Sequence, residues 1–99
     1  MKRPAPMRMR LAARSIGEDL SAWRRIRNLT AQQVADKADV SRATISRLEN
    51  GDPSVSLCTF LGVCNALGIL DEVTKAVDPY ESDCGRLRAG QSLPQRIRR

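Results

Sequence analysis

Apolar residues along this chain recur every three or four positions, the period of an amphipathic helix, and no segment alternates as a strand would. The first such segment spans residues 15–27. Its apolar residues fall at i, i+4 and i+7: Ile16, Leu20 and Trp23. Ser15 and Glu18 match a capping box at its start, and Asn28 tolerates the left-handed conformation that ends many helices. The pattern predicts a first helix over residues 15–27.

Two shorter helices are predicted next, with only two residues between them. Thr30 and Gln33 form a second capping box ahead of the segment AQQVADKA. The inward-facing residues of that segment are Val34, Ala35 and Ala38. After Asp39 and Val40, Ser41 is the N-cap of a third helix. Two short helices joined this closely must cross at a steep angle, which is the helix-turn-helix arrangement.

The third helix spans residues 42–50, and only its Ile45 and Leu48 are predicted to face the interior. The following Gly51 can adopt a positive φ and so end the helix. Its other faces carry Arg42, Ala43, Ser46 and Arg47. These side chains are either ordinary solvated groups or contacts to a ligand. In a DNA major groove, an arginine can hold guanine O6 and N7, a serine suits several base edges, and an alanine methyl can touch the thymine methyl.

Two further helices complete the pattern. Ser56 caps the segment LCTFLGVCNAL, which Gly68 ends. Its apolar stripe is Leu57, Phe60, Leu61, Cys64 and Leu67. Asp71 caps the shorter segment EVTKAV, which Asp78 and Pro79 stop. We therefore expect an all-α fold of five helices.

Composition removes several classes of function. Hydrophobic residues make up 41 % of the chain but aromatic residues only 3 %, so Leu, Ile, Val and Ala must form the core. The chain has no histidine and three cysteines without a C-x-x-C pair, which argues against a zinc site or a disulfide framework, and Cys58 and Cys64 are interpreted as small buried groups. Without a nucleotide-binding loop or a partnered base, we expect no enzyme and no cofactor.

The net charge of +6 is unevenly distributed along the chain. Residues 1–14 and 84–99 each carry +5, whereas the residues between them carry −4. Pro4 and Pro6 at one end, and Gly85, Gly90 and Pro94 at the other, predict flexible basic tails at 1–14 and 79–99 around a domain at 15–78. The tails are either solvated or contact DNA phosphates or a partner protein. The residues for such contacts are Lys2, Arg3, Arg8, Arg10, Arg96, Arg98 and Arg99.

Residues 52–83 contain six acidic side chains and one lysine, a charge of −5 that should turn away from DNA. Val73 and Val77 lie in this region at i and i+4, and they form either a dimer seam or part of the core. The chain has no apolar run long enough to cross a bilayer and no apolar stretch of a secretion signal at its start. We expect a cytoplasmic protein associated with the nucleoid.

The segment from Ile16 to Leu67, above all LTAQQVADKADVSRATISRLENGDPSVSL, resembles the Xre or lambda-repressor-like (Cro-type) helix-turn-helix family. In that family L-T-x-x-x-x-A, V-S, I-S-x-x-E-x-G and a following proline recur. The resemblance implies a five-helix DNA-binding domain whose third helix enters the major groove of double-stranded DNA. It also implies a homodimer on an inverted repeat and a role as a transcriptional repressor.

The resemblance further implies roles for individual residues. The positions that match base-reading sites are Arg42, Ala43, Ser46 and Arg47. Those that match phosphate contacts are Thr30, Ala31, Gln32, Ser41, Thr44 and Asn50. Arg24 and Glu49 match an ion pair that ties the first helix to the third. Ala31 stands where the family often has glutamine, so that side-chain contact is missing and only the backbone N–H can bind phosphate.

The C-terminal third has a second resemblance. The order of ALGILDEVTKAVDP, an acidic patch, GRLRA and LPQRIRR is similar to HipB-like antitoxins encoded beside kinase-like toxins. This implies an alternative in which the chain binds a protein toxin and contacts DNA to regulate its own operon.

Overall fold

The computed structural model describes residues 3–92, and this part of the chain is helical without a strand. The elements are α1 (Met7–Ile26), α2 (Ala31–Ala38), α3 (Arg42–Glu49), α4 (Leu57–Leu67), α5 (Leu70–Ala76), a 3-10 turn (Pro79–Glu81) and α6 (Asp83–Ser92). The all-α prediction is confirmed, but these residues contain six α-helices where five were predicted. None of the helices within residues 3–92 is both long and apolar enough to cross a membrane.

The chain divides into two compact units, with the boundary between Ile69 and Leu70. The first unit contains α1 to α4, and the second contains α5, the 3-10 turn and α6. The domain boundaries predicted at residues 15 and 78 stay predictions, because a division by packing does not delimit a functional domain.

The core of the first unit consists of aliphatic side chains from all four of its helices. α2 packs against both α3 and α4, and α1 packs against α3 and α4. The buried hydrophobic residues are Leu20, Val34, Ala35, Ile45, Leu48, Val63, Cys64 and Leu67 on the helices and Ile69 after α4. Because burial of one Val, Leu or Ile side chain stabilises by about 1.5–3 kcal/mol, this set supplies much of the driving force for folding the unit.

Hydroxyl side chains begin three helices of this unit, as the sequence predicts. Thr30, Ser41 and Ser56 each accept a hydrogen bond from the backbone N–H three residues later, at 3.0 Å in the first case and 3.1 Å in the other two. Gly51 and Gly68 have φ values of +82° and +78°, which end α3 and α4 without the cost that a Cβ would bring.

α1 begins at Met7, so the predicted helix start at Ser15 is wrong, and residues 7–14, predicted as part of a flexible tail, are helical. Ser15 lies inside the helix and forms no capping box. Pro6 precedes the first turn, where a missing N–H costs nothing. The added turns have the sequence MRMRLAAR, which consists of strong helix formers.

The buried face of α1 is also narrower than predicted. Gly17 and Leu20 are buried, whereas Ile16 and Trp23 are 44 % and 37 % exposed. The Trp23 ring lies under the Arg27 guanidinium, 5.4 Å from its centroid, and Arg27 Nε donates to the Leu67 carbonyl at the end of α4 at 3.0 Å. Trp23 therefore supports a cap of α4 instead of filling the core.

Gly17 brings the backbone of α1 against the C-terminal end of α3. A Cβ at this position would lie 2.5 Å from the Leu48 carbonyl oxygen and 2.6 Å from that of Glu49. A Cβ on Gly51 would likewise lie 2.6 Å from the Arg14 Cα. Only glycines permit these approaches, so α1 and the end of α3 are held at fixed separation.

Several predictions for the second half of the chain need correction. In α4, Cys64 is buried as predicted. Leu57 is 69 % exposed and Cys58 is exposed, against the prediction, because the first turn of α4 extends past the core. Asp71 does not cap α5, which begins one residue earlier at Leu70. Val77 is 80 % exposed and so is not part of this chain's core.

The tail predicted at 79–99 is helical over its described part. Asp78 Oδ1 accepts from the Tyr80 N–H at 2.9 Å, and Ser82 Oγ accepts from the Gly85 N–H at 2.9 Å. These two caps start the 3-10 turn and α6 despite the glycines. The predicted contact residues Lys2, Arg96, Arg98 and Arg99 lie outside the described residues.

Candidate nucleic-acid interface

α3 exposes the four side chains that were predicted to read bases. Ile45 and Leu48 hold its inner face with 1 % and 7 % of their surface exposed. Arg42, Ala43, Ser46 and Arg47 are all exposed. The helix is eight residues long, so these side chains form one patch along just over two turns.

The N-terminal end of α3 carries two hydroxyls close together. Ser41 Oγ and Thr44 Oγ1 are 2.9 Å apart, and Ser41 Oγ also accepts from the Thr44 N–H. Thr44 is half-buried and Ser41 is exposed. Because a helix N-terminus carries partial positive charge, this end of α3 suits a phosphate.

The turn between α2 and α3 fixes the angle at which α3 is presented. Asp39 has a left-handed φ of +58°, and the Val40 N–H donates to the Ala35 carbonyl at 3.0 Å. At the other end of α2, the Thr30 capping box occupies two backbone N–H groups, and Gln32 Nε2 donates to Asp36 Oδ1 at 2.9 Å. The half-buried Ala31 has no polar side chain, so its N–H is the group left for an anion.

Arg24 and Glu49 form a bidentate ion pair between α1 and α3. Arg24 Nε lies 2.7 Å from Glu49 Oε2, and Nη2 lies 3.1 Å from Oε1. Arg24 Nη1 also donates to the Leu29 carbonyl at 3.2 Å. The hydrogen bond to Glu49 raises the pKa of Arg24, and the two side chains are only 18 % and 17 % exposed. The pair anchors the end of α3 beneath its exposed face.

Arg47 has two polar partners in the loop after α3. Its Nε lies 2.8 Å from Asp52 Oδ2, and its Nη2 donates to Ser54 Oγ at 3.1 Å. Asp52 Oδ1 in turn accepts from the Ser54 N–H at 2.8 Å and from the Ser54 hydroxyl at 2.6 Å. The Ser54 hydroxyl, the Ser54 N–H and Arg47, in that order of importance, lower the pKa of Asp52 to about 2. Asp52 therefore stays charged and holds Arg47 at neutral pH.

Sequence reasoning missed this contact. The charge pattern predicts that Asp52 turns away from DNA with the other acidic residues of 52–83, whereas the structure places it beside Arg47. The sequence does contain a sign of this contact, the order Asp-Pro-Ser at residues 52–54. In such a turn the aspartate side chain accepts from the N–H two residues later, which folds the loop back.

The remaining predicted residues lie elsewhere. Arg8 and Arg10 are exposed on the first turns of α1, Arg3 is exposed ahead of that helix, and Asn50 is the C-cap of α3. Val73 is half-buried in α5. The dimer seam predicted at Val73 and Val77 stays a prediction.

Comparison with known proteins gives a consistent picture. A family model described as a helix-turn-helix domain matches residues 15–77. The HTH-type transcriptional repressor RghR of Bacillus subtilis is 34 % identical over 90 residues, which cover 79 % of this chain and 67 % of that protein. The immunity repressor protein of Bacillus phage phi105 is 38 % identical over 55 residues, or 56 % of this chain and 38 % of its own length. No solved structure matches the chain significantly.

Proposed function

This chain belongs to the helix-turn-helix family, and from that premise we propose that it is a sequence-specific DNA-binding transcriptional repressor. Its α3 enters the major groove of an operator. Two relatives are themselves named repressors, which supports this choice within the family.

The proposal rests on one observation, the exposed arginine-bearing face of α3. A helix with side chains is about 10–12 Å across, and the major groove is about 12 Å wide, so α3 fits with this face towards the bases. Arg42 and Arg47 each donate to guanine O6 and N7, Ser46 bonds a base edge, and the Ala43 methyl contacts thymine.

The loop after α3 prepares Arg47 for this role. Asp52 and Ser54 occupy the side edge of the guanidinium, formed by Nε and Nη2. The end edge of the guanidinium, formed by one Nη1–H and one Nη2–H, points away from that contact. It keeps the two parallel donors that guanine O6 and N7 require. Asp52 is thus a positioning residue that reduces the entropy lost when Arg47 binds.

Groups around α3 contact the DNA backbone and set its register. They are Ser41, Thr44 and Asn50 on α3 and its caps, with Thr30, Ala31 and Gln32 at the start of α2. These contacts contribute affinity but carry no sequence information. The chain acts without a cofactor, as a homodimer on an inverted repeat in the cytoplasm, and the 80 % exposure of Val77 favours the second unit as its seam.

Selection of bound sequences from randomised duplexes tests the proposal. Arg42→Ala and Arg47→Ala should each relax preference at one base pair by roughly five- to 150-fold, since one bidentate contact contributes about 1–3 kcal/mol of discrimination. Arg25→Ala is the matched control, because Arg25 is an exposed arginine that bonds Ser21 on α1. If both α3 variants keep the full sequence preference of the wild type, α3 is not the reading element.

A further inference from the structure

A groove of about 350 Å³ lies between the first turns of α1 and the loop after α3. Arg10 and Arg14 form its α1 wall together with Met7, and Asn50, Gly51 and Pro53 form the opposite wall. All of these residues belong to the first compact unit. The groove is formed by residues 7–14 of α1, which precede the helix start predicted at Ser15.

The groove is positively charged. Arg10 and Arg14 are four residues apart, so their side chains lie on one face of α1, one turn above the other. None of the described residues that line it is acidic, and neither arginine has an ion-pair partner among residues 3–92. Like charges at this spacing disfavour a helix, so a bound anion would relieve a repulsion that the free protein carries.

The groove also begins where the exposed face of α3 ends. Asn50 follows Ser46 by four residues on that face, and its Nδ2 lies 3.5 Å from Ser46 Oγ. Gly51 holds the loop against the Arg14 backbone, since even a Cβ would not fit between them. The position of both arginines relative to α3 is therefore fixed by backbone contact.

We propose that this groove binds a backbone phosphate of the DNA, at the edge of the major groove that α3 occupies. The guanidinium groups of Arg10 and Arg14 and the amide of Asn50 donate to the phosphate oxygens. The apolar side chains of Met7 and Pro53 exclude water from one side of the contact. The inference rests on the proposed function, and it adds Arg14 to the residues that bind DNA.

Salt dependence of binding tests the groove directly. Affinity is measured between 50 and 200 mM salt for the full chain and for Arg10→Gln, Arg14→Gln and the double variant, on a selected duplex and on a random one. Loss of one phosphate contact should reduce the slope of log K against log salt by about 0.9. Both duplexes should lose affinity by the same factor, and the base preference should not change. Arg25→Gln is the control and should leave the slope unchanged.

A second arm locates the phosphate. Duplexes that carry a single uncharged methylphosphonate at successive positions should weaken binding of the wild type at each contacted phosphate, including one at the edge of the α3 site that the groove binds. The double variant should be insensitive at that position, because its partner groups are already gone. Circular dichroism and thermal unfolding establish that the variants are folded.

The outcomes separate the two proposals. An unchanged slope in the folded double variant overturns the groove assignment, as does a methylphosphonate scan that is identical in wild type and variant. A double variant that alters sedimentation but not the slope assigns the groove to a protein contact and likewise overturns it. If the groove variants fail while Arg42→Ala still relaxes base preference, the repressor proposal stands without the groove.

Discussion

The eight residues of α3 form an inner face and an outer face that differ in burial and in chemistry. The inner face presents Ile45 and Leu48, nearly free of solvent, and the pair of Arg24 with Glu49 closes its end. The outer face presents exposed arginines and small polar groups, whose contacts within the chain are polar, such as that of Arg47 with Asp52 and Ser54. Packing against the core determines which residues suit the inner face, and contact with the proposed DNA ligand determines which suit the outer face. Substitutions should therefore separate into those that change stability and those that change binding.

The largest effect is expected from Ile45→Ala. Removing a fully buried isoleucine side chain should lower the free energy of unfolding by about 2–5 kcal/mol, because a cavity remains where α3 packs against α1 and α2. Urea unfolding followed by circular dichroism measures this loss. The control Ser46→Ala, one residue away on the outer face, should change stability by less than about 0.5 kcal/mol. Equal losses in the two variants would contradict the division into faces.

Arg24→Ala should be next in size. It leaves the Glu49 carboxylate partly buried without its partner, at a cost of roughly 2–3 kcal/mol in unfolding free energy. A double-mutant cycle with Glu49→Gln measures the coupling, which should be about 0.5–3 kcal/mol. Base preference of the folded fraction should be unchanged. Altered preference with normal stability would make Arg24 a reader instead of an anchor.

The smallest effect concerns the acid titration of Asp52. Its lowered pKa means that the contact with Arg47 is complete above the ordinary aspartate value of 3.8 and is lost as pH falls through about 2. Carbon-detected NMR of the carboxyl group should follow this transition. Ser54→Ala should raise the pKa of Asp52 more than Arg47→Ala does, since the Ser54 hydroxyl is the largest cause. The reverse order would show that the ion pair dominates.

Local chemistry explains which features the sequence predicted. Capping residues such as Thr30, Ser41 and Ser56 act on their own next turn, so their effects can be recognised without a fold. The burial of Ile45 and Leu48 followed from helical period alone. The family resemblance named the residues Arg24 and Glu49, which the structure places in contact.

The features that were missed depend on neighbours distant in sequence or on loop shape. Periodicity placed Ile16 and Trp23 inside, but the close approach of Gly17 to α3 rotates the buried face of α1 away from them. The prolines ahead of Met7 predict a poor helix there, whereas a proline just before the first turn is tolerated. The contact of Asp52 with Arg47 requires the loop to fold back, which residue spacing does not specify.

The unbroken length of α1 couples the orientation of its ends. Twenty residues extend about 30 Å, and each residue turns the helix by about 100°. Gly17 in the middle of α1 and Arg24 near its C-terminal end fix the rotation of the helix about its axis, so the direction of Arg10 and Arg14 follows from their spacing to Gly17. Inserting or deleting one residue between Arg14 and Gly17 would turn both guanidinium groups by about 100° around the helix axis and would replace Arg14 at its contact with Gly51. The helical register of α1 thus sets the orientation of Arg10 and Arg14 relative to α3.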